Sequence, residues 1–303
     1  MNPDAALPGL PVSVCIPTRN EERNLAACID SLRGAFTDVV VVDSGSTDHT
    51  REIATARGAR VVVFQWNGSF PKKRNWALRT IEFAHPWILF LDADEHLTEA
   101  FITELGSVLP STHHTGFWLS FTNYFLGRPL RHGDVFRKLA LFRRTAGEYE
   151  RFPEEWWSRL DMEVHEHPVL AGTVGEIHAR IDHRDDRGLH HYLAKHNDYS
   201  SWEAHRHAWL RSAPPEAWDA LTPRQRFKYR HLSKWWLAHA YFAITLFAKR
   251  GFLDGSAGWH FATLKKHYFQ QIRLKIAENC ETLGAPTAEP ATTTVLQRQP
   301  RQA

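Results

Sequence analysis

The chain has three cysteines among its 303 residues, Cys15, Cys28 and Cys280, and no two of them stand at a metal or redox spacing. That excludes a disulfide scaffold and a cysteine-built zinc module. Cys15 falls in an apolar stretch and Cys28 on a helical one, so both read as core thiols in a reducing compartment. Charge excess is missing as well: 37 Lys and Arg against 34 Asp and Glu leave a formal net charge of +3, and no nucleic-acid partner is expected. No internal repeat is visible. The residues Met1, Asn2, Pro3 and Asp4 contain no basic region followed by an apolar run, so no signal peptide and a cytoplasmic location are expected. The longest apolar run, Trp235 to Ala248, has 14 residues and contains His239. A bilayer span takes about 20 apolar residues, so this run is too short to cross one comfortably.

The length suffices for one large domain, or for a domain plus an appendage. Both 12 Trp and 19 His occur, concentrated beyond residue 112, which gives the second half a task of its own. The expected organisation is a leader at 1–10, an α/β domain at 11–187, a helical and membrane-associating or packing region at 188–282, and a disordered tail at 283–303, rich in Thr, Pro and Gln.

The stretch Trp87, Ile88, Leu89, Phe90, Leu91 is uncharged and bounded by Pro86 and by the acids Asp92, Asp94 and Glu95. It reads as a strand buried on both faces, of the kind found in sheets covered by helices on either side. The acids then leave its carboxyl end together. Like charges held that close need a compensating cation, and a hard divalent ion suits oxygen ligands and bridges carboxylates to substrate phosphates. A plainer reading is that Asp94 and Glu95 only lead into the next helix, capped by Thr98.

Strand and helix alternate before it. Val12–Ile16 is strand one, followed by a helix to about Arg33 with Asn20 as cap and Glu21 and Glu22 in its first turn. Val39–Val42 ends on Asp43 and turns through Ser44, Gly45 and Ser46, and Ala59–Phe64 is strand three. A helix opened by Pro71 carries Lys72, Lys73, Arg74 and Asn75. Parallel strands end on one rim, so Thr18, Asp43 and Asp92 meet at the carboxyl edge, where open α/β sheets bind ligands. Asp43 reads either as a turn-former or as a partner for a base or ribose. Lys72 to Arg74 read either as a solvated run or as a phosphate contact.

These residues resemble glycosyltransferase family 2. The resemblance rests on Val12–Glu22, on Val40–Asp48 with its Asp-Ser-Gly-Ser-Thr-Asp run, on Lys73-Arg74-Asn75, and on Leu91–Glu95, in that order. Within the family, Asn123–Arg128, Leu139–Arg144 and Glu163–Glu166 resemble the branch of lipopolysaccharide-core β-1,4-glucosyltransferases and related surface-polysaccharide enzymes. The resemblance implies an inverting GT-A enzyme with a mainly parallel mixed sheet between helices and a C-terminal helical appendage. It implies a nucleotide-diphosphate sugar donor, UDP-linked, and Mg²⁺ or Mn²⁺ as cofactor. Pro17, Thr18, Asn20, Glu21, Asp43, Ser44, Gly45, Lys73, Arg74, Asn75, Asp92 and Ala93 fall in its donor-binding motifs, and Asp92 and Asp94 match its metal and diphosphate pair. A Gln-x-x-Arg-Trp motif is absent, which favours addition of single sugars over processive synthesis.

Inverting transfer needs a base for the acceptor hydroxyl. Glu166 is the first candidate, Asp161 the second and Glu163 the third. Further strands are expected at Gly116–Asn123, Leu139–Arg143 and Ala179–Asp182. His165, His167, His178 and His183 fit no zinc spacing, and His183 is the one placed to help a catalytic cation. Beyond Gly188 the chain is helical to Leu210. A second helix from Pro223 carries Arg224, Arg226, Lys228, Arg230 and Lys234 straight into the Trp235–Ala248 run. It suits either an anionic membrane surface, at the inner face of the plasma membrane, or packing on the core. The acceptor is then a glycan or a lipid-linked glycan. A sugar nucleotidyltransferase would open strand one onto a Gly-rich phosphate loop, which Pro17 to Glu22 is not. A non-catalytic binding scaffold would not need the intact acid pair.

Overall fold

The computed structural model describes residues 9–133, 135–151, 161–162, 167–219 and 221–282. Its first half alternates as β1 (Val12–Thr18), α1 (Leu25–Asp30), β2 (Asp38–Asp43), α2 (Thr50–Ala56), β3 (Arg60–Val63), α3 (Lys73–Thr80) and β4 (Trp87–Phe90). The acids follow in a tight turn into β5 (Glu95–His96) and α4 (Glu99–Val108), whose Thr98 cap accepts from Phe101 N. The chain then forms β6 (Gly116–Phe125), β7 (Arg128–Pro129), β8 (Phe136–Arg143), β9 (Gly147–Tyr149), β10 (Pro168–Leu170) and β11 (Val174–His183). Five helices complete it: α5 (Gly188–Ser212), α6 (Pro215–Asp219), α7 (Pro223–His231), α8 (Trp235–Ala243) and α9 (Gly255–Thr282). A π-helical turn, Ile244–Ala248, and a 3₁₀ turn, Gly251–Asp254, join the last two.

The main sheet runs β3-β2-β1-β4-β8-β6-β11-β5. β3, β2, β1 and β4 are parallel, β8 is antiparallel to both β4 and β6, and β11 is parallel to β6. The uncharged run of β4 is buried because alternate residues feed two cores. Trp87, Leu89 and Leu91 join the larger cluster with Val12, Val14 and Ile16, while Ile88 and Phe90 join Cys15, Val40 and Val42 on the other face. Each such aliphatic or aromatic side chain contributes about 1.5–3 kcal/mol by leaving water. Antiparallel pairing of β8 with β4 brings the start of β8, with Lys138, alongside the acid-bearing end of β4.

Three local expectations change. Asn20 does not cap α1: it adopts φ 56°, which Asn tolerates, and its Oδ1 accepts from Thr47 N at 2.9 Å, lacing the β1 and β2 loops together. Pro71 does not open α3, which starts at Lys73 after an extended Lys72. The basic helix after Pro223 is two helices. It breaks at an extended Lys234, so that Leu232 and Leu237 both reach the core that α9 completes with Phe269, Ile272 and Ile276.

The helical region is bolted to the sheet domain. Phe125 and Leu130 pack against Ala257, and the Asp254 carboxylate accepts from the backbone N–H groups of Arg131 and His132, at 3.1 and 2.9 Å. Gly133 N donates to Lys249 O at 2.9 Å. Close approach of the 3₁₀ turn to α9 requires glycine at 258, where a Cβ would lie 2.0 Å from Gly251 O.

Candidate active site

The carboxyl rim gathers residues from six segments. In the turn after β4, Asp92 N donates to Glu95 Oε2 and Glu95 N to Asp92 O, both at 2.9 Å, which fixes the acids relative to one another. Lys138 Nζ pairs with both the Asp92 and Glu95 carboxylates, and Arg74 Nη2 reaches Asp92 Oδ1 at 3.1 Å. Asp94 Oδ2 faces His183 Nε2 at 3.4 Å, Arg187 Nη2 at 3.6 Å and Lys195 Nζ at 3.9 Å. Like charges crowded together are thus met by cations of the protein itself.

Burial works against ionisation of Asp92 and Asp94. Attraction to Lys138 and Arg74 for the first, and to His183 for the second, outweighs it and holds both below the usual carboxylate range. Burial dominates at Glu95, which is raised in spite of Lys138. His183 is raised because the attraction of Asp94 exceeds its own desolvation.

The segments expected to hold the donor are less open than their motifs suggest. Asp43 is wholly buried, accepting from Thr18 Oγ1 at 3.1 Å, from Ser46 N at 2.9 Å and from Ser46 Oγ. Those contacts are a turn-former's, and they present Ser44 and the exposed Gly45, at φ +69°, on the rim. Pro17 and Thr18 are buried in β1 beside Val42 and Asp43. Glu21 Oε1 lies 2.6 Å from Arg187 Nη1, and burial pushes its carboxyl up to about 7.

Lys73 is not a solvated charge. It is 1% exposed, with Nζ 2.8 Å from Asp161 Oδ2 and 3.2 Å from Thr18 O. Asp161 also accepts from Ser44 Oγ. Asn75 closes a reciprocal pair with the Tyr149 backbone, at 2.8 and 3.0 Å, and Arg74 lies over the Tyr149 ring. Ala93 is buried between the acids. Glu163, His165 and Glu166 lie outside the described residues. His167 sits by Trp118, and His178 gives its backbone N–H to Glu104 on α4, so neither joins the acids.

Asp94 Oδ2 and His183 Nε2 are the oxygen and the nitrogen that a divalent ion on this rim would have to share. His183 Nδ1 meets Asn123 Oδ1 at 3.0 Å; with the proton there, Nε2 is the ring atom that faces Asp94. One carboxylate oxygen and one imidazole nitrogen converge, and no group of three or more His, Cys, Asp or Glu side chains arranged to hold a metal occurs among the described residues. Mg²⁺ suits such a site, since it keeps waters and draws ligands from substrate phosphates.

Lys138, Arg187 and Lys195 were not legible as site residues. Antiparallel pairing delivers the first, and the second and third arrive from the β11–α5 junction and from α5. The only sequence signal is the Arg137-Lys138 pair ahead of the apolar run Leu139–Phe142.

A mixed sheet of this order, with an acid-bearing turn at the carboxyl end of its central strand, is the GT-A fold. The family model described as glycosyl transferase family 2 matches residues 13–162. A lipopolysaccharide core biosynthesis glycosyltransferase, LpsC, of Rhizobium meliloti is 30% identical over 207 residues, 65% of this chain and 72% of the relative. An uncharacterised glycosyltransferase of Rickettsia bellii is 36% identical over 201 residues, covering 64% of this chain and 66% of that one. Among solved structures, glucosyl-3-phosphoglycerate synthase of Mycobacterium tuberculosis, in complex with Mn²⁺, UDP and glucosyl-3-phosphoglycerate, is 28% identical over 38% of this chain and 44% of that chain, with a TM-score of 0.29. The chain belongs to glycosyltransferase family 2.

Proposed function

We propose that this glycosyltransferase moves one hexosyl group, with inversion, from a UDP-sugar to a glycan or lipid-linked acceptor in the assembly of a surface polysaccharide such as a lipopolysaccharide core. The observation that carries the reading is the convergence of Asp94 and His183 beside Asp92, Arg74 and Lys195 on one rim. The name of the Rhizobium relative supports the acceptor class. The reaction runs at the cytoplasmic face of the membrane that carries the acceptor. No helix among the described residues is long and apolar enough to cross it.

Ser44, Gly45 and the loops held by Thr18, Asn20 and Asp43 receive the nucleoside, and Asp92 and Arg74 orient the ribose and diphosphate. Asp94 and His183 would hold Mg²⁺ or Mn²⁺, which would offset charge on the departing diphosphate. Lys195 and Arg187 add fixed positive charge on the same side. The acceptor oxygen forms a bond to the anomeric carbon as the bond to the diphosphate breaks, and its proton passes to a carboxylate. Glu166 takes that role. Asp161, occupied by Lys73 and Ser44, braces the donor loop, and Glu163 remains the third candidate. The catalytic unit therefore extends past residue 187 into α5.

Product formation from a panel of nucleotide sugars, with the anomeric configuration read by NMR, tests this. Transfer with inversion from a uridine diphosphate sugar is expected. Retention, or transfer only from a nucleoside monophosphate sugar, would overturn the reading.

A further inference from the structure

We infer that the surface formed by α7, α8 and the π-helical turn is an anionic phospholipid site, with a cleft that takes one acyl chain and a basic rim that takes the headgroup. The inference deepens the membrane-side reading given above. Its first support is a charge pattern. From Ala220 to Leu253 the sequence holds Arg224, Arg226, Lys228, Arg230, Lys234, Lys249 and Arg250 and no acid.

The structure sorts these cations. Arg226 turns inward to the carbonyls of Leu221 and Asp219, at 2.9 and 3.2 Å, and Lys228 pairs at 2.6 Å with Glu203, whose side chain is 1% exposed. Arg224, Arg230, Lys234, Lys249 and Arg250 are exposed. A single-sign stretch of this kind complements anionic headgroups, each basic residue near the bilayer contributing about 1 kcal/mol.

Apolar exposure is the second support. Phe227, Trp235, Ile244, Phe247, Phe252 and Leu253 are each about half exposed or more, with Trp235 at 68%. Aromatic and basic side chains side by side suit the membrane interface, where rings bury at headgroup level.

The third support is a cleft of about 270 Å³, walled by Phe227, Trp236, Leu237, Tyr241 and Ile244 and also lined by Arg224 and Lys249. An apolar slot with two cations among its lining residues matches an amphiphile with a hydrocarbon chain and a negative head, and each methylene buried contributes about 0.8 kcal/mol. The π-helical turn contributes Ile244 and Thr245 to the cleft lining, and π turns recur at functional sites. Gly133 ties the end of the π turn to the sheet domain through Lys249 O, and Asp254 ties the 3₁₀ turn that follows, so lipid bound here sits at a fixed distance from the acid rim.

Co-sedimentation of the full chain with phosphatidylglycerol or phosphatidylcholine vesicles is the test. Binding is expected to phosphatidylglycerol alone, weakening as salt rises. Lys249→Ala with Arg250→Ala should lower the partition coefficient about 30-fold, the equivalent of two surface cations. Ala240→Trp, which fills the cleft, should weaken vesicle binding and abolish binding of short-chain phosphatidylglycerol below its micelle concentration, while glycerol phosphate alone binds neither protein. Hydrolysis of the donor sugar should be unchanged in both variants, which separates this inference from the catalytic reading. Wild-type protein that stays in the supernatant with phosphatidylglycerol at low salt overturns the site, as does equal binding to both lipids. Unaltered lipid binding by Ala240→Trp overturns the acyl cleft.

Discussion

Lys73 and Asp161 are joined twice: Nζ lies 2.8 Å from Oδ2, and the Lys73 backbone N–H donates to the Asp161 carbonyl at 2.9 Å. The lysine side chain is 2% exposed, and the aspartate side chain 19%. Removing one charge of such a pair strands the other in a low-dielectric setting, which costs about 3 kcal/mol.

Asp161→Asn should therefore lower the urea midpoint and raise the donor KM more than it lowers kcat. Burial raises the Asp161 carboxyl, but Lys73 and Ser44 outweigh it and depress the pKa below its ordinary 3.8. A depressed carboxylate stabilises fully above the unfolded value and loses that contribution as pH falls through the folded one. The stability gap between wild type and Asp161→Asn should thus be constant near neutrality and close below about pH 4. A gap that widens in acid would contradict the pairing.

Lys138 neutralises Asp92 and Glu95 together. Lys138→Met leaves the buried Glu95 without its cation and Asp92 with Arg74 alone, so kcat/KM should fall about 10²-fold or more while far-UV circular dichroism is retained. Lys138→Arg should recover part of the loss. Full activity in Lys138→Met would remove the residue from the site.

Metal affinity can be read without turnover, by calorimetry with Mn²⁺ in the presence of UDP. Asp94→Asn and His183→Ala should each abolish detectable binding. Asn123→Ala, which frees the far ring nitrogen of His183, should weaken it about 10- to 100-fold. Chelator should stop transfer, and Mg²⁺ or Mn²⁺ should restore it. Undiminished transfer in excess chelator would assign charge stabilisation to Arg187 and Lys195 alone.

Glu166→Gln retains shape but cannot accept a proton, so kcat should drop roughly 10²- to 10⁴-fold with little change in donor KM. If Glu163→Gln shows that loss and Glu166→Gln does not, the base is Glu163.

Much of the first hundred residues could be read directly, because contiguous apolar runs and the acids that end them are local signals. β4 with Asp92, Asp94 and Glu95 is the clearest case. Less legible were contacts made by topology. Lys138 belongs to the site only because β8 runs antiparallel to β4, and nothing in its own neighbourhood announces that reversal. Asn20 and Asn75 carry motif positions, yet their amides are engaged with the Thr47 and Tyr149 backbones. Helix breaks were hidden for a similar reason: Lys234 has good helical propensity, and only the shared core with α9 makes the chain turn there.

Helix α5 begins at the acid rim with Arg187 and Lys195 and ends inside the helical region, where Trp202, Ala204 and Leu210 are buried. For anyone recombining relatives, this sets where a crossover can fall. A splice at the end of β11 would pair one parent's acids with the other parent's cations, and the mismatch would surface as impaired donor handling in a well-folded protein. Productive junctions should lie beyond Leu210, so the interchangeable cassette is larger than the segment over which family likeness is strongest.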